Sequence, residues 1–175
     1  MRAGSEESAR FTAVYEASYG AIHAYASRRV GPAAADEIAA ETFLIAWRRM
    51  DALPADPLPW LYGVARNIVA RHYRASGRRA ATAAALTNER AGVQPGFPDS
   101  GDPALWEAWE RMRPADREVL ALIAWEELSV AEAAQVLGCP APVFSVRLHR
   151  ARRRLERLLA AGAVDSDSSR VLSEA

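Results

Sequence analysis

The chain has 175 residues, no formal net charge, half of its residues hydrophobic and a quarter charged, a composition that excludes an intrinsically disordered chain. Cys139 is the only cysteine, which excludes an intramolecular disulfide and argues against a cysteine-based metal cluster. The opening MRAGSEESARF has no apolar signal core and no run of about 18 apolar residues follows, so a soluble, cytoplasmic protein without membrane insertion is expected.

Phe11, Val14, Tyr15, Ile22 and Tyr25 fall mostly at helical spacing, which predicts a first helix over about 9–29, ended by Gly31-Pro32. A second helix is predicted from about Ala33 to Met50. The three prolines of DALPADPLP (51–59) break it. Trp60, Leu61, Val64, Ile68 and Tyr73 then outline a third helix reaching about Ser76-Gly77. No segment alternates as a half-buried strand would. The Gly-, Pro- and acid-rich stretch around ERAGVQPGFPDSGDP reads as a flexible linker.

Beyond it, Leu105, Trp106, Trp109 and Met112 predict another helix, and Pro114 suits the first turn of the next, which runs to Trp125. Ser129-Val130-Ala131-Glu132 is a capping box opening a short helix that Gly138 closes. Pro142 pre-sets the first turn of the last helix. The expectation is an all-α chain of two small helical domains, 1–80 and 104–161, with linker 81–103 and a polar tail 162–175.

Charge is unevenly distributed along this plan. Residues 1–80 carry a balance of +3, residues 103–134 of −4 and residues 135–160 of +5, an asymmetry that points to localised nucleic-acid contact. Every basic residue is arginine, which together with the abundance of alanine reflects a GC-rich coding sequence more than selection for bidentate phosphate contacts.

In SVRLHRARRRLERLL (145–159), Phe144, Leu148, Ala151, Leu155 and Leu158 or Leu159 form an apolar stripe. Arg147, Arg150 and Arg154 share another face, with Arg153 and Arg157 nearby. Such a helix alone fits a solvated face or a membrane surface as well as DNA. The capped helix and tight glycine turn before it make a helix-turn-helix, which favours DNA. Were about five of these arginines to meet phosphates, binding would fall with salt at a log-log slope of roughly −4 to −5.

WLYGVARNIVARHYRASGRR (60–79) interleaves Arg66, Arg71, Arg74, Arg78 and Arg79 with Trp60, Tyr62 and Tyr73. Basic and aromatic groups together suit single-stranded nucleic acid. A packed core with solvated arginines would read the same way.

DEIAAETFLIAW (36–47), WLYGVARN (60–67) and ELSVAEAAQVLGC…RLHRARRRL (127–155) together resemble the extracytoplasmic-function sigma factors, two-domain bacterial initiation factors. The resemblance implies a protein that binds core RNA polymerase, through its largest and second-largest subunits, and directs it to promoter DNA. The helix with Asp36, Glu37, Glu41, Thr42 and Phe43 matches the segment that docks on the clamp helices of the largest subunit. Phe43 and Trp47 also fit an internal core, Trp47 the better of the two.

Loop 51–59 and the helix with Trp60, Arg66, Asn67, Arg71, Arg74 and Arg78 match the region that opens the minus-ten element and holds an extruded base. Arg66 and Asn67 are the leading candidates for that base; Arg71 stands where many relatives carry Asp. Val143, Ser145, Arg147, Arg150 and Arg154 lie on the helix that matches the minus-thirty-five reader. There PVFSVR departs from a Gly-Thr-Val-Lys-Ser-Arg-like run, removing a hydroxyl and a cation. Arg153 and Arg157 are candidate phosphate or polymerase contacts, and an anti-sigma factor is an implied partner.

Catalysis is not expected. His23, His72 and His149 fall in different helices without metal-ligand spacing, and neither a Gly-rich phosphate loop nor a nucleophile elbow occurs. No cofactor is expected either. A stand-alone helix-turn-helix regulator is the alternative, and it leaves the first 80 residues without a role. A structural helical adaptor would leave both arginine clusters unexplained.

Overall fold

Glycine and proline punctuation and side-chain caps divide the chain into helices. The structure, a computed structural model, describes residues 2–83 and 102–173, and the side chains of 6–76 and 102–162. Among the described residues it comprises α1 (Arg2–Val30), α2 (Pro32–Trp47), a 3-10 turn (Met50–Ala52), α3 (Leu58–Ala83), α4 (Pro103–Glu110), α5 (Pro114–Ala124), α6 (Val130–Leu137) and α7 (Ala141–Ser173), with no strand. The all-α expectation holds. Helix α7 continues through Ser173, past the point where a tail was expected; most of the expected linker lies outside the described residues.

The joints follow from local chemistry. Gly31 separates α1 from α2 with φ 79°, a left-handed conformation that costs glycine little, and Pro32 starts α2 where its missing N–H is no loss. Asp102 caps α4 by accepting from the backbone N–H groups of Ala104 and Leu105 at 3.0 and 3.4 Å. The box at α6 is complete: Ser129 N–H donates to Glu132 Oε2 at 2.7 Å, and Glu132 N–H donates to Ser129 Oγ at 3.3 Å. Gly138 ends α6 at φ 62°.

Hydrogen bonding from Ser129, its side chain first and its backbone N–H second, holds the Glu132 carboxyl below the usual carboxylate range. A carboxyl lowered in the folded state adds stability above its unfolded value and loses it as the pH falls through the folded one. Ser129→Ala is therefore expected to cost about 1 kcal/mol at pH 7, seen as a lower thermal midpoint, and less once acid has protonated Glu132. An undiminished penalty in acid would contradict this coupling.

Helices α1, α2 and α3 pack on one another, and α4, α5 and α6 pack around α7. Ile22, Tyr25, Ile38, Phe43, Leu61 and Ile68 fill the first core; Trp109, Val119, Leu122, Val136, Phe144 and Leu148 fill the second. Burying one large apolar side chain contributes about 1.5–3 kcal/mol. The two sets join in a single buried cluster, because α3 also packs against α6. No helix among the described residues is long and apolar enough to cross a membrane.

Candidate nucleic-acid interface

The proline-rich loop before α3 is pinned from α1. Arg10 Nη1 and Nη2 donate to the carbonyls of Met50 and Leu53 at 3.3 and 2.9 Å, and Asp56 Oδ1 accepts from Leu58 N–H at 3.4 Å. Prolines 54, 57 and 59 restrict the remaining freedom. Helix α3 thus starts from a fixed point, and Leu61, Ala65, Ile68 and Val69 seat its inner face in the core.

Its other face borders a cleft of about 750 Å³, walled by Pro54, Trp60, Arg66, Asn67 and Arg71 on one side and by Gln135–Gly138 of α6 and its turn on the other. Trp60 and Arg66 are half-buried there, whereas Asn67 and Arg71 are exposed. Arg74 is exposed, about one turn further along α3. Arg78 belongs to α3, but its side chain lies outside the described residues. Arg71 ion-pairs with Glu41 of α2, so a residue expected at DNA and one expected at polymerase hold each other in this conformation.

A second cleft, about 620 Å³, lies between the halves and is lined by Arg66, Arg147, Arg150, Arg154 and Arg157, with Asp116 and Glu118 as its acids. It exists because Phe144, Leu148 and Ala151 sink the opposite stripe of α7 into the second core. Arg147 and Arg150 are exposed, and Arg154 is half-buried 3.9 Å from Asp116. Val143 and Ser145 are exposed on the first turns, where the Ser145 hydroxyl donates to the Ala141 carbonyl at 3.1 Å. Arg157, expected apart from this set, joins it. Arg153 instead pairs with Glu156 at 3.8 Å.

The expected polymerase edge is only partly a surface. Asp36 and Glu37 are exposed and Glu41 is half-buried. Asp36 already accepts from Tyr19 at 3.2 Å and lies 3.3 Å from His23 Nε2. Thr42 and Phe43 must be corrected: both are buried, Thr42 donates to the Ile38 carbonyl at 2.7 Å, and neither can touch a partner without unpacking α2. Trp47 reverses the expectation of a core residue. It is 41% exposed beside Leu44, with one ring contact to Phe11.

A buried polar network had no signal in the sequence. Arg29 at the end of α1 reaches Glu118 of α5 at 3.1 Å and Glu126, just after α5, at 3.0 Å; Arg28 also pairs with Glu126. The Arg29 guanidinium carbon sits 3.5 Å from the Tyr25 ring centroid. Tyr25 donates to Glu118 at 3.2 Å, and burial, reinforced by that carboxylate, raises its phenol well above the ordinary range. The phenol therefore remains a donor across any physiological pH.

Comparisons with known proteins follow the same division. Residues 14–79 match sigma-70 region 2, and residues 103–155 match sigma-70 region 4. Over 167 residues the chain is 32% identical to the ECF RNA polymerase sigma factor BldN of Streptomyces coelicolor, covering 90% of this chain but 63% of that protein's length. It is 31% identical to the ECF RNA polymerase sigma factor EcfG of Rhodopseudomonas palustris, with 71% of each covered. Among solved structures it is similar to the sigma factor RpoE bound to the anti-sigma factor NepR from Bartonella quintana: TM-score 0.66, 25% identity, 86% of this chain and 97% of that one.

Proposed function

This chain belongs to the extracytoplasmic-function RNA polymerase sigma factors, and we propose from that premise that it binds core polymerase in the cytoplasm and directs promoter-specific initiation. In this reading α3 and the loop before it engage the minus-ten element and open it. Trp60, Arg66 and Asn67 hold an extruded base, and Arg71, Arg74 and Arg78 follow the backbone. The helix-turn-helix of α6 and α7 anchors the minus-thirty-five duplex through Val143, Ser145, Arg147, Arg150 and Arg154. Domains 1–80 and 104–161 divide the work, joined by the linker.

The observation that carries the proposal is the cleft at Trp60, Arg66 and Asn67, a partly apolar recess edged by arginine at the end of a pinned loop. Extruding a base costs a few kcal/mol, and a preformed aromatic and cationic recess offsets part of it. On α7, exposed Arg147 and Arg150 have the fork geometry that reads guanine bidentately. Asp36, Glu37 and Glu41 give α2 an acidic edge for the largest polymerase subunit, extended by exposed Leu44 and Trp47. An anti-sigma factor is a further proposed partner, supported by the similarity to RpoE in its complex with NepR. A stand-alone regulator has no use for α1 to α3, and the region 2 match runs against it.

The direct test mixes the purified chain with core polymerase and follows run-off transcription across genomic fragments. A stable complex with transcripts from a small promoter set is expected. No complex and no selective transcript would refute the proposal, while tight operator binding without polymerase would point to a repressor.

A further inference from the structure

Helix α7 presents two kinds of surface in succession. From Arg147 to Arg157 every exposed side chain on it is charged or a histidine. Just before them, Val143 and Val146 are 41% and 50% exposed. Spaced three residues apart, they are neighbours on the helix surface. At about 100° per residue, Val143, Val146, Arg147 and Arg150 fall within roughly 100° of arc, clear of the buried stripe of Phe144, Leu148 and Ala151.

The two valines do nothing for the fold. Neither is part of the hydrophobic core, and valine is a poorer helix former than alanine or arginine. A single exposed apolar side chain needs no explanation, but this pair adjoins the arginines of the helix-turn-helix. Polar readout is also missing from the same turns. Pro142 carries no donor, and the Ser145 hydroxyl donates back to the Ala141 carbonyl at 3.1 Å, so no side chain from Ala141 to Val146 has a donor to spare for a base edge.

In a helix-turn-helix the first turns of the second helix meet the base edges. The major groove offers hydrogen-bonding groups and one apolar feature, the C5-methyl group of thymine. A surface of methyls without donors complements that feature alone. Valine is also stiff at χ1, so its methyls are in place before DNA arrives and little side-chain entropy is lost on contact.

We propose that Val143 and Val146 form a methyl-reading surface that selects thymine in the minus-thirty-five element, beside guanine contacts made by Arg147 and Arg150. This statement rests on the promoter role proposed for α7. Val143 and Arg147 are about 6 Å apart along the helix axis, so the thymine lies within about two or three base pairs of the guanine, at about 3.4 Å per step.

The test selects duplexes from a random pool with the full chain bound to core polymerase and, separately, with the full chain alone. In the tightest duplex each thymine of the element is replaced in turn by uracil, which pairs identically and lacks only the methyl group. At one or two thymines the affinity is expected to fall about fourfold, the contribution of one methyl removed from water. Val143→Ala or Val146→Ala should abolish the difference at the thymine it faces, while replacing guanine by 7-deazaguanine costs the parent and both variants alike. Alanine at exposed helical positions carries no folding risk.

Equal affinity for thymine and uracil at every position of the parent, or a difference that survives both alanine substitutions together, would overturn the methyl reading. Indifference to uracil combined with a loss of polymerase affinity in the variants would overturn it too and assign the valines to a protein interface. If polymerase neither binds the chain nor alters the selected sequence, yet the chain alone still discriminates thymine from uracil, the sigma-factor reading fails and the methyl surface stands. Selection of no sequence by either form overturns both.

Discussion

Replacing Arg66 and Asn67 together with alanine is expected to cut open-complex formation at a responsive promoter by roughly 30-fold, equivalent to about 2 kcal/mol, while initial duplex binding falls far less. Both side chains border the recess beside Trp60, and Arg66 is half-buried there. A duplex that is still paired presents no free base to the recess, so their contribution arises only after a base leaves the stack. Charge loss alone would act otherwise: removing one phosphate contact weakens closed and open complexes alike and lowers the salt slope by about 0.9. Potassium permanganate footprinting of the open region, beside gel-shift titration of the holoenzyme on the closed duplex, separates the two effects. Equal losses in both assays would assign Arg66 and Asn67 to general backbone attraction.

Phe144→Ala should be the most damaging single change in the C-terminal half. Phe144 is fully buried, with Leu148 and Ala151 following on the same stripe. Truncating a buried phenylalanine costs about 3–5 kcal/mol, whereas a core of this size supplies little more than that. The expected result is a C-terminal unit largely unfolded at 37 °C, seen as lost amide protection along α6 and α7 and loss of minus-thirty-five duplex binding. Phe144→Leu should recover most of both, since it restores apolar volume. A loss under about 1 kcal/mol in chemical denaturation would mean that α7 is not held by this stripe.

The helices were legible because their boundaries are local events. Gly31-Pro32, the Ser129 and Glu132 box, and Gly138 each act within one turn of chain, and the structure keeps all three. The faces of α7 were equally legible, since an apolar stripe opposite arginine has a single sensible orientation. Helix α2 was harder. ETFLIAW is apolar around much of its circumference, so periodicity did not tell which side chains point inward; Phe43 and Trp47 exchanged their expected environments.

The Arg29 cluster was not legible at all. Its acids lie 89 and 97 positions away, charged residues are seldom fully buried, and nothing near Glu118 or Glu126 distinguishes them from solvated neighbours. Arg71 was ambiguous for a related reason, its partner Glu41 being supplied by another helix.

Helix α1 is held at two points, one in its first half and one at its C-terminal end. Arg10 holds the loop that precedes α3, and Arg29 holds the turn that follows α5. At 1.5 Å per residue these anchor points are about 28 Å apart along one rod. A helix of that length bends little, so it acts as a rigid spacer between the two contacts. The loop before α3 and the turn after α5 are therefore held at a nearly fixed separation, although they lie in different halves of the chain.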